Sequence, residues 1–194
     1  QNDEDHYLGI TRVMVSQCDY IVPHWDGQPT FTKPPLLYWL MAASMRIFGT
    51  TLFAARVPVA LTALLTMAAV YGFGRRLLRS DGAAATAALL TGTTVGFLQH
   101  GRVAMMEVPL ALLLVCSAWA AWCISLGSSR AWYALALSSA ASAMLKGPAT
   151  ALIPLMGTAI WLAVRRRDDV ESGSVAWRHA VGAALFFVLR SEEH

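Results

Sequence analysis

The chain has 194 residues, of which 56% are hydrophobic and only 14% are charged, and its mean hydropathy is +0.50. Soluble domains are about half apolar and about a quarter charged, so this composition argues against a soluble protein and favours one that lies in lipid. The net charge of +3 is small, and no basic run alternates with aromatic residues, which argues against a nucleic-acid partner.

The cysteine and histidine residues predict no disulfide framework, no metal site and no other cofactor. Cys116 and Cys123 lie within an apolar run, where structural thiols are expected, and Cys18 stands alone. No glycine-rich loop for a nucleotide occurs either. Three histidines precede residue 101, and their spacing does not match that of metal ligands. They are His6, His24 and His100.

Both ends of the chain are expected to be internal to a longer protein. The first five residues are polar and acidic rather than a signal peptide, and the first of them is not methionine. The last residues, 190–194, are polar and charged and stop abruptly.

Residues 1–50 differ from the rest because they contain four of the eight prolines and a turn-rich stretch at 23–29. Before that stretch, apolar residues recur at helical spacing, which predicts an amphipathic helix that starts near residues 3–5. These apolar residues are Tyr7, Ile10, Met14 and Cys18. We expect residues 1–50 to form a loop outside the cytoplasm that carries two helices beside the membrane.

The second of these helices is predicted over 36–48. Pro34 and Pro35 precede it, and proline suits a helix start because its missing N–H is not needed there. Tyr38 and Trp39 are typical of the boundary between membrane and water. Since about 20 apolar residues are needed to cross a bilayer, we expect this helix to lie in the interface.

From residue 51 to 194 we predict a bundle of transmembrane helices that is incomplete at both ends. The fourth apolar run is short for a span and continues through Lys146 into the fifth, which indicates a tight helical hairpin. The fold class is therefore an all-α, polytopic membrane bundle. The apolar runs cover 57–74, 83–99, 108–126, 131–145, 148–164 and an incomplete run from 180.

Arginine residues predict the orientation of the bundle. Clusters follow the first, third and fifth runs, and they fall on one side if each run crosses the membrane once. The positive-inside rule makes that side the cytoplasm, so residues 1–50 and the links near 99–102 and 146–148 face outward. We therefore expect a multi-pass protein of the cell membrane with its site on the outer face. The arginines are Arg75, Arg76, Arg79, Arg130 and those at 165–167.

Glu107 lies at the start of an apolar run, five residues after Arg102. An ionisable residue at that depth costs a few kcal/mol unless it is paired or hydrated, so it is a functional hypothesis by default. The alternative is an Arg102–Glu107 ion pair that only stabilises the bundle. The sequence favours neither.

The chain contains only two lysines, Lys33 and Lys146, and both lie in proline-flanked turns on the side predicted to face outward. A lysine is a compact point charge that suits a phosphate, and a neighbouring helix start adds oriented N–H groups. The alternative is that both side chains extend from helix ends towards water without binding anything. The common location of the two lysines favours a phosphate site.

Carboxylates and cations at an outer membrane boundary could hold an acceptor beside a lipid-linked phosphate. A sugar on polyprenyl phosphate already has a good leaving group, provided that cations neutralise the departing phosphate. A carboxylate can then take the acceptor proton. The residues therefore suit transfer of a sugar from a polyprenyl-phosphate donor.

Six short motifs occur in order along the chain. They are Asp3-Glu4-x-x-Tyr7, Lys33-Pro34-Pro35-Leu36-x-Tyr38-Trp39, Phe48-Gly49, Ala54-Ala55-Arg56-Val57-Pro58, Arg102-x-Ala104-x-x-Glu107 and Leu145-Lys146-Gly147-Pro148. Each motif is weak alone, but the set is specific, and it resembles the dolichyl-phosphate-mannose-protein mannosyltransferase family. The chain is especially similar to the bacterial lipid A aminoarabinose transferase branch of that family, over nearly residues 2–165.

The resemblance implies a glycosyltransferase C-type membrane fold and a reaction that inverts the sugar. It implies that Asp3 is the principal catalytic carboxylate, with Glu4 beside it. Glu107 would be a further catalytic carboxylate, at a position where the family usually has aspartate.

The same resemblance assigns the cations to the donor. Lys33 would contact the carrier phosphate, helped by Arg102 and Lys146. The implied partners are a polyprenyl-phosphate sugar, an acceptor that is a lipid, a glycan or a protein, and the bilayer itself.

Two other classes of protein remain open from the sequence. A transporter or flippase subunit would place its polar residues near the middle of the bilayer, on broken helices in repeated halves, and no internal repeat is visible. A non-catalytic membrane scaffold would use the outer charges for stability only. Convergence of the predicted site residues would favour the enzyme.

Overall fold

The structure, a computed structural model, describes the backbone of residues 3–168 and the side chains of residues 4–164. Within this range the regular structure is helical except for one short hairpin of two antiparallel strands. The elements are α1 Asp3–Gln17, β1 His24–Trp25, β2 Gln28–Pro29, α2 Leu36–Phe48, α3 Leu52–Leu78, α4 Asp81–Thr93, α5 Val95–His100, α6 Glu107–Ser125, α7 Ala131–Lys146 and α8 Pro148–Asp168.

The first predicted helix is confirmed as α1, and three of the four apolar residues on its predicted face are buried. The exception is Cys18, which lies one residue beyond the helix and is exposed. Cys18 has a φ of 56°, in the left-handed region, so the helical spacing stops before it. The hairpin then packs on α1, where Gly9 leaves room for the ring of Trp25.

Helix α2 has the predicted bounds, and it is buried on one side and exposed on the other. Trp39 is on the exposed side and donates a hydrogen bond to the Tyr20 carbonyl oxygen at 2.7 Å. Tyr38, which we expected at the membrane boundary, is instead only 1% exposed and packs against Tyr7. Its burial raises the pKa of the Tyr38 hydroxyl to about 12.

Helices α3 and α6 are long and apolar enough to cross a membrane, with 27 and 19 residues. They correspond to the predicted runs at 57–74 and 108–126. The run at 83–99 is not one helix, because it breaks at Thr94 into α4 and α5. The side chains of Thr93 and Thr94 bond to the carbonyl oxygens of Leu89 and Leu90, and such bonds bend helices.

The hairpin predicted from the fourth and fifth runs is present as α7 and α8, joined by Gly147 alone. Gly147 has a φ of 116°, which favours glycine at this turn. The two helices pack together from the turn, where the Thr150 hydroxyl donates to the Ser142 carbonyl oxygen, to Leu162, which packs against a buried cluster that includes Ala131 and Leu135. The incomplete run from residue 180 lies outside the described residues.

Two ends of the bundle can be distinguished. The carboxylate end contains the first turns of α1, α2 and α3, the 104–110 segment and the last turn of α7, which share one buried core that includes Tyr7, Leu37, Ala54, Met106 and Leu145. The arginine end contains the last turns of α3 and α6, the start of α7 and the C-terminal part of α8. The bundle therefore separates the arginines at 75–79 from the segments predicted to carry the chemistry.

Candidate functional site

Glu4 is the most constrained acidic residue at the carboxylate end. It is 7% exposed, and Arg56 donates to both carboxylate oxygens, from Nε at 2.7 Å and from Nη2 at 2.8 Å. The backbone N–H of Ala104 donates a third hydrogen bond to Glu4 Oε1 at 2.8 Å. One carboxylate thus joins α1, α3 and the linker before α6, and we refer to these three residues as the Glu4 clamp.

The Glu4 clamp stabilises the charged form of the carboxylate. The hydrogen bond from Arg56 is the largest effect on the pKa of Glu4, and with the bond from Ala104 it holds that pKa below the ordinary value of 4.5 although burial opposes the shift. A carboxylate with a lowered pKa and three donors is a weak proton acceptor. This geometry suits anchoring of α1 better than proton transfer.

Acidification is expected to release the clamp. Because the pKa of Glu4 is lower in the folded protein than in the unfolded one, the clamp stabilises the fold above pH 4.5, and this contribution disappears as the pH falls through the folded pKa. Hydrogen exchange of the peptide containing Ala104 should therefore accelerate below pH 4.5, after correction for intrinsic exchange. A Glu4→Gln variant should lack this step, and a step of equal size in the variant would assign it to another group.

Glu107 and Lys146 form the second ion pair at this end. The Lys146 Nζ lies 3.5 Å from Glu107 Oε1, and the two side chains are 27% and 22% exposed. Glu107 begins α6 and Lys146 ends α7, so the pair closes the α6–α7 interface at a helix boundary. Glu107 Oε2 is buried, and no described residue donates a hydrogen bond to it.

The alternative Arg102–Glu107 ion pair is wrong for the described part of the chain. Arg102 is exposed and lies in a turn, where its backbone N–H donates to the Gln99 carbonyl oxygen. The hydrogen bond from the Ala104 N–H to Glu4 holds the backbone two residues after Arg102. The Glu107 carboxylate contacts Lys146 at the end of α7 and not Arg102.

The remaining predicted residues lie at the same end but are less constrained. Lys33 is exposed and precedes α2, whose Leu37 belongs to the shared core. Among residues 4–164, neither Lys33 nor Arg102 forms an ion pair. Asp3 is the first residue of α1, next to the anchored Glu4, and its side chain lies outside the described part. The structure thus brings Glu107 and Lys146 into contact and places the other segments around one core.

Sequence reasoning gave no role to Arg56 or to the N–H of Ala104, although both lie within the motifs that carry the family resemblance. One signal could have identified Arg56. It lies in the first turns of a long apolar helix, at the end opposite to the topology arginines, where an unpaired cation would be costly. Ionisable residues in apolar helices are commonly paired, so this position favours a carboxylate partner for Arg56.

The fold and these paired charges define a class: helical membrane proteins with a polar site at the ends of their spans. The chain belongs to the dolichyl-phosphate-mannose-protein mannosyltransferase family, whose model matches residues 32–191. The family resemblance inferred from the short motifs is therefore confirmed.

Relatives and solved structures agree with this assignment. The chain is 30% identical to an "Undecaprenyl phosphate-alpha-4-amino-4-deoxy-L-arabinose arabinosyl transferase 2" from Sodalis glossinidius, over 86% of this chain and 31% of the relative. It is also 30% identical to the corresponding transferase from Edwardsiella ictaluri, over 100% of this chain and 36% of the relative. The chain thus spans about a third of the length of these relatives.

The fold resembles that of ArnT from Cupriavidus metallidurans. The structure bound to undecaprenyl phosphate matches with a TM-score of 0.70 at 21% identity, over 97% of this chain and 36% of that one. The apo structure matches with a TM-score of 0.66 at 20% identity and covers 35% of that chain. These matches show a shared membrane fold and support the predicted glycosyltransferase C-type architecture.

Proposed function

We propose that the protein is a membrane glycosyltransferase that moves a sugar from a polyprenyl-phosphate donor to an acceptor outside the cytoplasm. The observation that carries this proposal is the shared core of the carboxylate end, on which the segments bearing Asp3, Lys33, Glu107 and Lys146 all pack. Segments far apart in sequence supply acids and cations to one rim of the bundle. Such a rim can hold a charged lipid carrier and an acceptor together.

The reaction is a single displacement at the anomeric carbon of the donor. The acceptor oxygen or nitrogen forms the new bond, and the bond from the anomeric carbon to the phosphate oxygen breaks with inversion. The acceptor proton passes to the Asp3 carboxylate, and the polyprenyl phosphate leaves with the bond electrons. Lys33, Arg102 and Lys146 neutralise the charge that develops on the phosphate.

Within this proposal Glu4 is a positioning residue and Glu107 controls a cation. The Glu4 clamp fixes the first turn of α1 and thereby the neighbouring Asp3. The Glu107 carboxylate lies 3.5 Å from the Lys146 Nζ and holds that lysine at the rim. When the phosphate departs, it can form an ion pair with Lys146 in place of Glu107. The exchange frees the Glu107 carboxylate to contact the acceptor.

The names of the relatives support a particular donor. They describe transfer of 4-amino-4-deoxy-L-arabinose from undecaprenyl phosphate, and we assign this class of donor to the present chain. The resemblance to lipid A aminoarabinose transferases favours a lipid over a glycan or a protein as acceptor.

The distribution of arginine residues also supports a site on the outer face of the membrane. Arginines 75, 76 and 79 lie at the end opposite to the Glu4 clamp, and by the positive-inside rule their end faces the cytoplasm. Residues 1–50 then form the outer loop, with α1 and α2 beside the membrane, and the bundle from residue 51 spans it. Because the paired charges lie at helix ends rather than at mid-span, this arrangement favours an enzyme over a transporter.

The proposal is tested by a transfer assay with the intact protein in detergent, an undecaprenyl-phosphate aminoarabinose donor and a lipid acceptor, followed by mass spectrometry. Wild-type protein should give a glycosylated lipid. Lys33→Ala should raise the KM for the donor more than Lys33→Arg does, since arginine keeps a cation for the phosphate.

Two outcomes would contradict the proposal. No product with any polyprenyl-phosphate sugar would remove the transferase function. Equal donor KM values for Lys33→Ala and Lys33→Arg would contradict the proposed contact between Lys33 and the phosphate. They would not contradict the transferase function.

A further inference from the structure

An open cavity of about 420 Å³ lies at the arginine end, between the last turns of α3 and α6. It is distant from the Glu4 clamp, which lies at the first turns of α1 and α3. The proposed transfer reaction gives it no role. Its lining residues are Arg76, Leu77, Arg79, Trp122, Cys123 and Leu126.

The described lining residues of this cavity carry two positive charges and no negative charge. Arg76 and Arg79 both line it, and among residues 4–164 neither forms an ion pair with an acid. The neighbouring Arg75 differs, because it is paired with Asp81. Two guanidinium groups on one wall, with no carboxylate among the lining residues that the structure describes, favour an anionic ligand.

Arg76 is held in place before any ligand binds. Its guanidinium carbon lies 5.1 Å from the centre of the Trp119 ring, within the range of a cation–π contact. The Trp119 ring itself lies against Gly72, where a Cβ atom would come within 3.1 Å of it. This contact restricts the arginine and reduces the conformational entropy that binding would cost.

The other walls are apolar and lie at the ends of the two helices that are long enough to cross a membrane. Leu126 is 62% exposed, so the apolar surface continues outward from the cavity. Indole rings such as that of Trp122 are typical of the headgroup level of a bilayer. A free anion would use the arginines alone, whereas a phospholipid would use both the cations and the apolar walls.

We propose that this cavity binds an anionic phospholipid of the inner leaflet, with its headgroup phosphate between Arg76 and Arg79 and its acyl chains along the apolar walls. Basic pockets between helices on the cytoplasmic side are suited to such headgroups. The site would couple this end of the bundle to the anionic lipid content of the membrane.

The test is native mass spectrometry of the intact protein in detergent, titrated with phosphatidylglycerol or with phosphatidylcholine of the same acyl chains. Wild-type protein should retain phosphatidylglycerol preferentially. Arg76→Gln and Arg79→Gln should each weaken that binding about fivefold, the size expected for loss of one cation beside an anionic headgroup. Arg75→Gln is the matched control, because it removes the same charge from an adjacent residue outside the cavity, and it should bind as the wild type does.

Three results would overturn the proposal: equal retention of the two lipids, unchanged binding in both cavity variants, or an equal loss in Arg75→Gln. Displacement of the lipid by an equal concentration of soluble glycerol 3-phosphate would also overturn it, because the apolar walls would then contribute nothing. Arg79 is exposed at the end of α3, so Arg79→Gln keeps the test decisive if Arg76→Gln does not fold. Sugar transfer is measured separately, and its loss or retention does not affect this result.

Discussion

Asp3→Asn is expected to abolish sugar transfer while leaving membrane insertion and folding intact. Asparagine has nearly the shape of aspartate but cannot accept the proton of the acceptor, and a positioned base contributes roughly 10²–10⁴-fold to such a step. The kcat should fall by about that factor, and the donor KM should change little because the cations of the rim remain. The measurement is the rate of glycosylated lipid formation by the purified variant.

Asp5→Asn provides a control on the same helix. It makes the same chemical change two residues further along α1, at an exposed position. If the effect depends on position rather than on net charge, Asp5→Asn should retain nearly full activity. Full activity in Asp3→Asn would contradict the assignment of Asp3 as the catalytic base. An equal loss of transfer rate in both variants would show that the effect comes from the net charge of α1.

Local patterns in the sequence were sufficient for the helices of residues 1–50. The spacing of Tyr7, Ile10 and Met14 predicted α1, and a pair of prolines before an apolar stretch predicted the bounds of α2. Both signals involve residues within a few turns of one another, where the period of the helix determines which side is buried. The burial of the Tyr38 side chain could not be predicted in this way, since its contact with Tyr7 depends on how α1 and α2 pack together.

The break in the run at 83–99 shows the limit of hydropathy. Apolar character is continuous through Thr94, so a window of hydropathy predicts one span there. The helix nevertheless ends at Thr93, and Thr94 has an extended backbone. The hydroxyls of Thr93 and Thr94 bond to carbonyl oxygens of the preceding turn, and such bonds favour a bend in a helix. Hydrogen-bonding competition of this kind depends on side-chain geometry that hydropathy does not contain.

The candidate site was predicted in part, and the reason lies in the distance between partners. The residue types at Glu107 and Lys146 indicated a functional end, but the sequence could equally pair Glu107 with nearby Arg102. Glu107 pairs with Lys146 because α6 packs against α7. The Glu4–Arg56 pair joins residues 52 positions apart, and neither has a neighbour in sequence that reveals the other.

Arg56→Ala is expected to loosen α1 and to reduce sugar transfer, although Arg56 itself contacts no substrate in the proposed mechanism. The change removes two charge-assisted hydrogen bonds from a buried carboxylate and leaves only that of Ala104. Bonds to a charged group contribute about 1.5–3 kcal/mol each. Because the Arg56 side chain is 40% exposed, solvent screens part of the interaction, and we expect a loss of about 2 kcal/mol in the free energy of unfolding.

At the assay temperature, the transfer rate of Arg56→Ala should fall by more than the loss of folded protein accounts for. A displacement of about 1 Å in a catalytic group can cost about 10²-fold in rate, and Glu4 is the residue that fixes the backbone next to Asp3. Hydrogen exchange in α1 and thermal unfolding in detergent measure the loosening, and the transfer assay measures the rate.

Arg56→Lys separates the geometry of the clamp from its charge. Lysine keeps one positive charge but cannot donate to both Glu4 oxygens in the fork that arginine provides. We therefore expect Arg56→Lys to exchange α1 amides faster than the wild type and to lie between wild type and Arg56→Ala in rate. If Arg56→Lys matched the wild type in both measurements, charge alone would hold α1. If Arg56→Ala retained full activity with a loosened α1, the position of Asp3 would not depend on the Glu4 clamp.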